Sequence, residues 1–126
     1  MDAEQDPAAL DPEDAKIITL ARSARARGGT DGGAAVRDET GRTYAAVDVH
    51  LDSISVSALQ LAVLMAASSG GVKLEAAAVV THGGDEGLSD EKLAAAWDLD
   101  ADHVLLAGPD GSLIRVYPNP DRSPSA

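Results

Sequence analysis

The stretch from Gly32 to Gly71, GGAAVRDETGRTYAAVDVHLDSISVSALQLAVLMAASSGG, decides the fold. Its first half reads as a hairpin. Ala34–Arg37 and Thr43–His50 flank the turn Asp38-Glu39-Thr40-Gly41, which closes on glycine. The second arm alternates, with Ala45, Val47 and Val49 pointing one way and Tyr44, Ala46, Asp48 and His50 the other. Ser53–Ser57 then leads into Ala58–Ser69, a helix apolar on nearly every face. That pattern predicts a place in the middle of the domain, and Gly70-Gly71 ends it.

Upstream, Asp11-Pro12-Glu13-Asp14 is a helix start: a capping Asp, Pro at the first position and acids in the first turn. Ile17, Leu20, Ala21 and Ala24 share a face, Arg22, Arg25 and Arg27 crowd the final turns, and Gly28-Gly29 stops the helix. Downstream, Val72–Thr81 is a continuous run of small apolar residues, as in a strand covered on both faces. A glycine-rich loop, His82–Leu88, precedes a short helix over Asp90–Asp98 capped by Ser89. Strands over His103–Ala107 and Ser112–Tyr117 flank Gly108-Pro109-Asp110-Gly111.

The order α-β-β-α-β-α-β-β predicts an α/β protein, a three-layer α/β/α sandwich around a mixed five-stranded sheet. The strand–helix–strand steps are expected to be right-handed parallel crossovers. Residues 11–117 form the domain, between a flexible acidic tail over 1–10 and a flexible Pro/Ser-rich tail over 118–126.

Composition bounds the function. The chain has 126 residues, enough for one domain, and a net charge of −11. That charge argues against nucleic acid and against an anionic membrane surface. Cysteine is absent, which excludes disulfides, thiol catalysis and Cys-ligated zinc. The acidic start is unlike a secretory or transit peptide, and the longest apolar run is too short to span a bilayer, so a cytoplasmic location is expected. There are 24 Ala and no Phe. Small side chains bury little area each, so self-association, as dimer or tetramer, is expected to add to the margin of stability.

The quoted stretch resembles the front half of small single-domain cytidine deaminases, and the likeness runs from about residue 12 to 117. Val47-Asp48-Val49-His50-Leu51 stands where that family has Asn-Val-Glu-Asn, and Ala58-Leu59-Gln60 where it has Cys-Ala-Glu. The resemblance implies a zinc ion held by the first motif and a Pro-Cys-x-x-Cys motif, with the Glu as proton shuttle. Here Ala58 replaces the first ligand, Gln60 replaces the Glu, and Leu88-Ser89-Asp90-Glu91-Lys92 stands in the region of the second motif. Ala cannot ligate, and Gln cannot serve as a general base near neutral pH. The resemblance therefore implies a degenerate member without metal or cofactor.

By the same resemblance, Asp48 and His50 take the places of the residues that hold the sugar hydroxyls. Gln60 is the one buried polar group expected on the central helix and needs a partner. His82 shares a rim with His50, His103 lies at the opposite edge, and Ser89 is most simply a helix cap. The reading is a catalytically inactive binding or scaffold protein with a vestigial pocket of Asp48, His50, Gln60, His82 and Ser89. A small nucleoside-like ligand or a protein partner would occupy it. The alternatives are an active nucleoside deaminase, or another small-molecule hydrolase using Asp48, His50 and His82.

Overall fold

The computed structural model describes residues 10–83 and 87–122. In chain order the elements are α1 (Pro12–Gly28), β1 (Gly32–Asp38), β2 (Thr43–Val47), β3 (Val49–His50), β4 (Ser55–Val56), α2 (Ala58–Ser68), β5 (Leu74–Thr81), α3 (Asp90–Asp98), β6 (His103–Ala107) and β7 (Leu113–Pro118). Five strands form one mixed sheet in the order β2-β1-β5-β6-β7. β5 and β6 are parallel, and the other neighbouring pairs are antiparallel. Helix α1 covers one face, with Ile17, Ile18 and Ala21 over Ala35, Ala76, Ala78 and Leu105. Helices α2 and α3 cover the other, with Leu59, Val63, Leu93 and Ala96 in one cluster with Val36, Val79 and Leu106. This is the α/β/α sandwich around a mixed five-stranded sheet.

Each helix starts and stops on local chemistry. The Asp11 side chain accepts the Glu13 amide, and Gly29 closes α1 in the left-handed conformation with its N–H on the Arg25 carbonyl. Ser89 caps α3 by accepting the Lys92 amide. Strand β1 is buried along its whole length. It is so closely covered that a Cβ on Gly33 would run into the Ala21 carbonyl oxygen and lie 2.7 Å from the Arg25 nitrogen. Both are backbone atoms of α1, so nothing there can turn aside.

Four details differ from the sequence reading. The second hairpin arm does not run to His50 as one strand; it breaks at Asp48, and β3 pairs instead with β4 in a small separate ribbon. The chain turns off the sheet there because β1 begins at Gly32, opposite Asp48, and offers no further partner. Helix α2 is not central: it lies on one face and leaves Leu64 54% exposed. The fifth strand starts at Leu74 rather than Val72, which is exposed. The body also extends past residue 117. Asn119 is buried, its side-chain amide donates to the Ala101 carbonyl at 2.8 Å, and Arg122 pairs with Asp100 and Asp102. Residues 123–126 of the C-terminal tail, and 1–9 of the N-terminal one, lie outside the described residues.

At the end of the sheet where β6 begins, an ionic cluster absent from the sequence reading ties α1 to three strands. Asp14 accepts from Arg37 at 3.2 Å and meets His103 Nε2 at 2.8 Å, while Arg37 Nε donates to Glu75 at 2.8 Å. Burial alone would raise the Asp14 carboxyl, but the hydrogen bond and charge of His103, and then Arg37, outweigh it and hold it below the usual aspartate range.

Two outcomes follow from this packing. Gly33→Ala should cost about 3 kcal/mol in urea unfolding, the upper end of ordinary overpacking, because the new methyl meets backbone. The unfolded chain protonates residue 14 at a higher pH than the folded chain does. Its stabilisation is therefore complete above the unfolded value near 3.8 and is lost as the pH falls through the lower folded value. Asp14→Asn should flatten that acid limb and, by leaving Arg37 short of a counter-charge, cost about 3 kcal/mol at neutral pH.

Candidate functional site

An open cleft of about 460 Å³ lies at the C-terminal end of β5, opposite the ionic cluster. Loops beyond the carboxyl ends of parallel strands are the usual ligand sites of α/β sheets. Its walls are the β3–β4 ribbon with His50 and Ser55, the first turn of α2 with Ser57 to Gln60, Val79 and Thr81 of β5, and Glu91 and Lys92 of α3. Asp31, Asp48 and Glu91 against Lys92 give it an acidic lining. No Phe, Tyr or Trp side chain lines it among the described residues.

Asp48 occupies the corner where β2 ends. One carboxylate oxygen accepts the Gly32 amide at 2.9 Å and the other accepts the Ala58 amide at 2.8 Å. The second bond satisfies one of the free N–H groups that every helix N-terminus leaves. Gln60 is equally occupied. Its Oε1 accepts the Ser57 amide at 2.9 Å, and Ser57 Oγ accepts the Gln60 amide at 3.1 Å, a reciprocal capping box. Gln60 is therefore a partly buried cap residue rather than a fully buried polar group of α2. The described buried polar side chains are Asp14, Arg37, Asp38 and Asn119.

His50 Nδ1 contacts Ser55 Oγ at 2.6 Å across the β3–β4 ribbon. A serine against an imidazole has the first contact of a nucleophile–base pair. The described residues supply no third group to orient the ring, so the contact reads as a cross-strand hydrogen bond between two exposed residues. His82 and Ser89 do not line the cleft. His82 is exposed, with Nε2 3.8 Å from Asp31 Oδ1, and Ser89 is spent on the α3 cap. His103 lies at the far end of the sheet on Asp14. Thus the fold brings Asp48, His50 and Gln60 to one cleft and leaves the other two outside it.

Ser55, Ser57, Glu91 and Lys92 were not singled out as site residues by the sequence. Ser57 was readable, since Ser-x-x-Gln ahead of an apolar run is a capping-box signature. Ser55 was not, because its position depends on the pairing of a two-residue ribbon.

A family model described as cytidine deaminase-like matches residues 10–111, more than half of the chain. The chain belongs to the cytidine deaminase-like family. Among solved structures, the cytidine deaminase from Burkholderia pseudomallei superposes with a TM-score of 0.72 at 22% identity, covering 88% of this chain and 96% of that one. The enzyme from Mycobacterium tuberculosis gives 0.65 at 22% identity over 92% and 98%, and that from Mycobacterium leprae 0.64 at 18% over 86% and 95%. At these identities the likeness is one of fold. A search of curated proteins by sequence finds no match.

The zinc ion that the family resemblance implies does not fit the residues present. Ala58 and Leu59 are buried apolar groups, the chain has no cysteine, and no three His, Asp or Glu side chains converge to hold a metal among the described residues. What the cleft can do chemically is accept and donate hydrogen bonds: Asp48 retains lone pairs beyond those used, and the Gln60 amide nitrogen and Lys92 donate.

Ser57→Ala should cost about 1 kcal/mol in urea unfolding, the usual worth of a lost N-cap. Crosspeak shifts should concentrate on residues 57–61 in an amide NMR spectrum.

Proposed function

We propose that this family member does not deaminate cytidine and uses its cleft to bind a small nucleoside-like molecule. The observation that carries the reading is the capping box at the start of α2. Where the resemblance calls for a metal ligand and a proton-shuttling Glu, this chain has a buried methyl group and a Gln whose carbonyl oxygen is committed to Ser57. A deaminase needs a general acid–base there, and an amide supplies none. The polar groups that remain, Asp48 and His50, suit hydroxyl-bearing ligands, since a carboxylate accepts and a neutral imidazole both accepts and donates.

Self-association belongs to the same reading. Leu61, Leu64 and Met65 on α2, with Tyr44 beside them, form an outward apolar face. A second copy or another protein covering that face would bury area that the small-residue core lacks. The acidic, cysteine-free chain fits a cytoplasmic setting.

Metal analysis, a cytidine turnover assay and a nucleoside panel read by amide NMR test the proposal on one sample. Substoichiometric zinc, no turnover, and localised shifts at Asp48, His50 and Gln60 are expected. Gln60→Glu should remain inactive, because a carboxylate without a metal-bound water has no proton to shuttle. Stoichiometric zinc with turnover would overturn the reading, and a spectrum indifferent to the whole panel would remove the nucleoside ligand from it.

A further inference from the structure

The region where the resemblance puts a metal is held together here in another way. Asp48 lies at the break between β2 and β3, and its two carboxylate oxygens take the first amide of β1 and the first amide of α2. Gly32 is shaped to this arrangement: a Cβ there would lie 3.0 Å from Asp48 Oδ2 and 3.2 Å from Oδ1. The residue after Ala58, Leu59, is 1% exposed and belongs to one apolar cluster with Leu93 of α3 and Leu88 just before it.

We infer that Asp48, with the apolar cluster around Leu59, has replaced a metal ion as the device that holds the start of α2 in place, so that the cleft stands formed in the metal-free chain. The inference rests on the metal-free part of the function proposed above and is independent of which ligand the cleft takes. A carboxylate suits the role because both its oxygens accept and because negative charge is favoured at a helix N-terminus. With Asp48 in position, the Ala58 amide has its partner and needs no ion or ligand to complete the turn. On this account Asp48 is a positioning residue of the cleft, acting through the backbone of β1 and α2.

Amide hydrogen exchange on the full chain tests this, with and without a chelator and with added zinc. In the wild type, exchange at Gly32 and Ala58 and the melting temperature should be indifferent to both treatments. Asp48→Ala should speed exchange at Gly32 and Ala58 by about tenfold or more, as expected for loss of a hydrogen bond to a charged acceptor, and leave Ala77 in mid-sheet unchanged. Asp48→Asn keeps one acceptor oxygen and should protect one of the two amides only, which decides the matter if the alanine variant does not fold. Unchanged exchange at both amides in the variants, with no zinc bound, would overturn the inference and leave the metal-free reading standing. Zinc bound stoichiometrically, with a raised melting temperature, would overturn both.

Discussion

Gly33 lies under α1 with no room for a methyl group, and that close approach governs the rest of the molecule. It requires a small residue in β1 and backbone-to-backbone packing, and small residues fill the central strands on both faces. Ala34, Ala35, Ala76, Ala77 and Ala78 are all 0% exposed. Helices cover such a sheet on both faces. The cost is that each residue buries little area, about 25 cal/mol of transfer free energy for each Å². Fixed polar ties supplement it at both ends of the sheet. Asp14, Arg37, Glu75 and His103 clamp α1 at one end, and Asp48 joins β1 to α2 at the other.

Elements whose signals are local were legible from the residues. Ser89 ahead of Asp90 and Glu91 marks the start of α3, and Gly28-Gly29 marks the end of α1, because caps and stops act over three or four positions. The apolar run after Val72 was legible as a buried strand for the same reason. Position within the layers was harder. Helix α2 is apolar all round yet lies on a face, since apolarity does not say whether the covering partner belongs to the same chain. The Asp14–His103 pair joins residues 89 apart, and no pattern within a window could have revealed it.

The cleft shows the same division. Asp48, His50 and Gln60 stood out in the sequence, through the resemblance, and the fold gathers them at one rim. Their use was not legible. Asp48 looked like an outward residue of an alternating strand, whereas its bonds run to residues 16 and 10 positions away. Gln60 looked buried in an apolar helix, but it sits in the first turn, where free amides draw a side chain back on itself. His82 was linked to the cleft by sharing a rim with His50, and Ser89 by the region of the second family motif. The first is exposed beside Asp31 at the cleft's edge, and the second is consumed by its own helix.

Capping and catalysis compete for the same atoms at this cleft. The first turns of α2 and α3 both face it, so an atom spent there on a backbone amide is less available to a ligand, metal or proton. In this chain Ser57, Gln60 and Asp48 satisfy backbone amides at the cleft, and Ser89 does the same just outside it. Such residues stabilise the helix ends whether or not anything is bound, while metal ligands without a metal leave uncompensated polar groups. The contacts that set the sheet and α1 lie elsewhere, in Gly33, the alanine strands and the Asp14 cluster. The polar ties at the cleft are complete within the chain, so the start of α2 is held by its own residues.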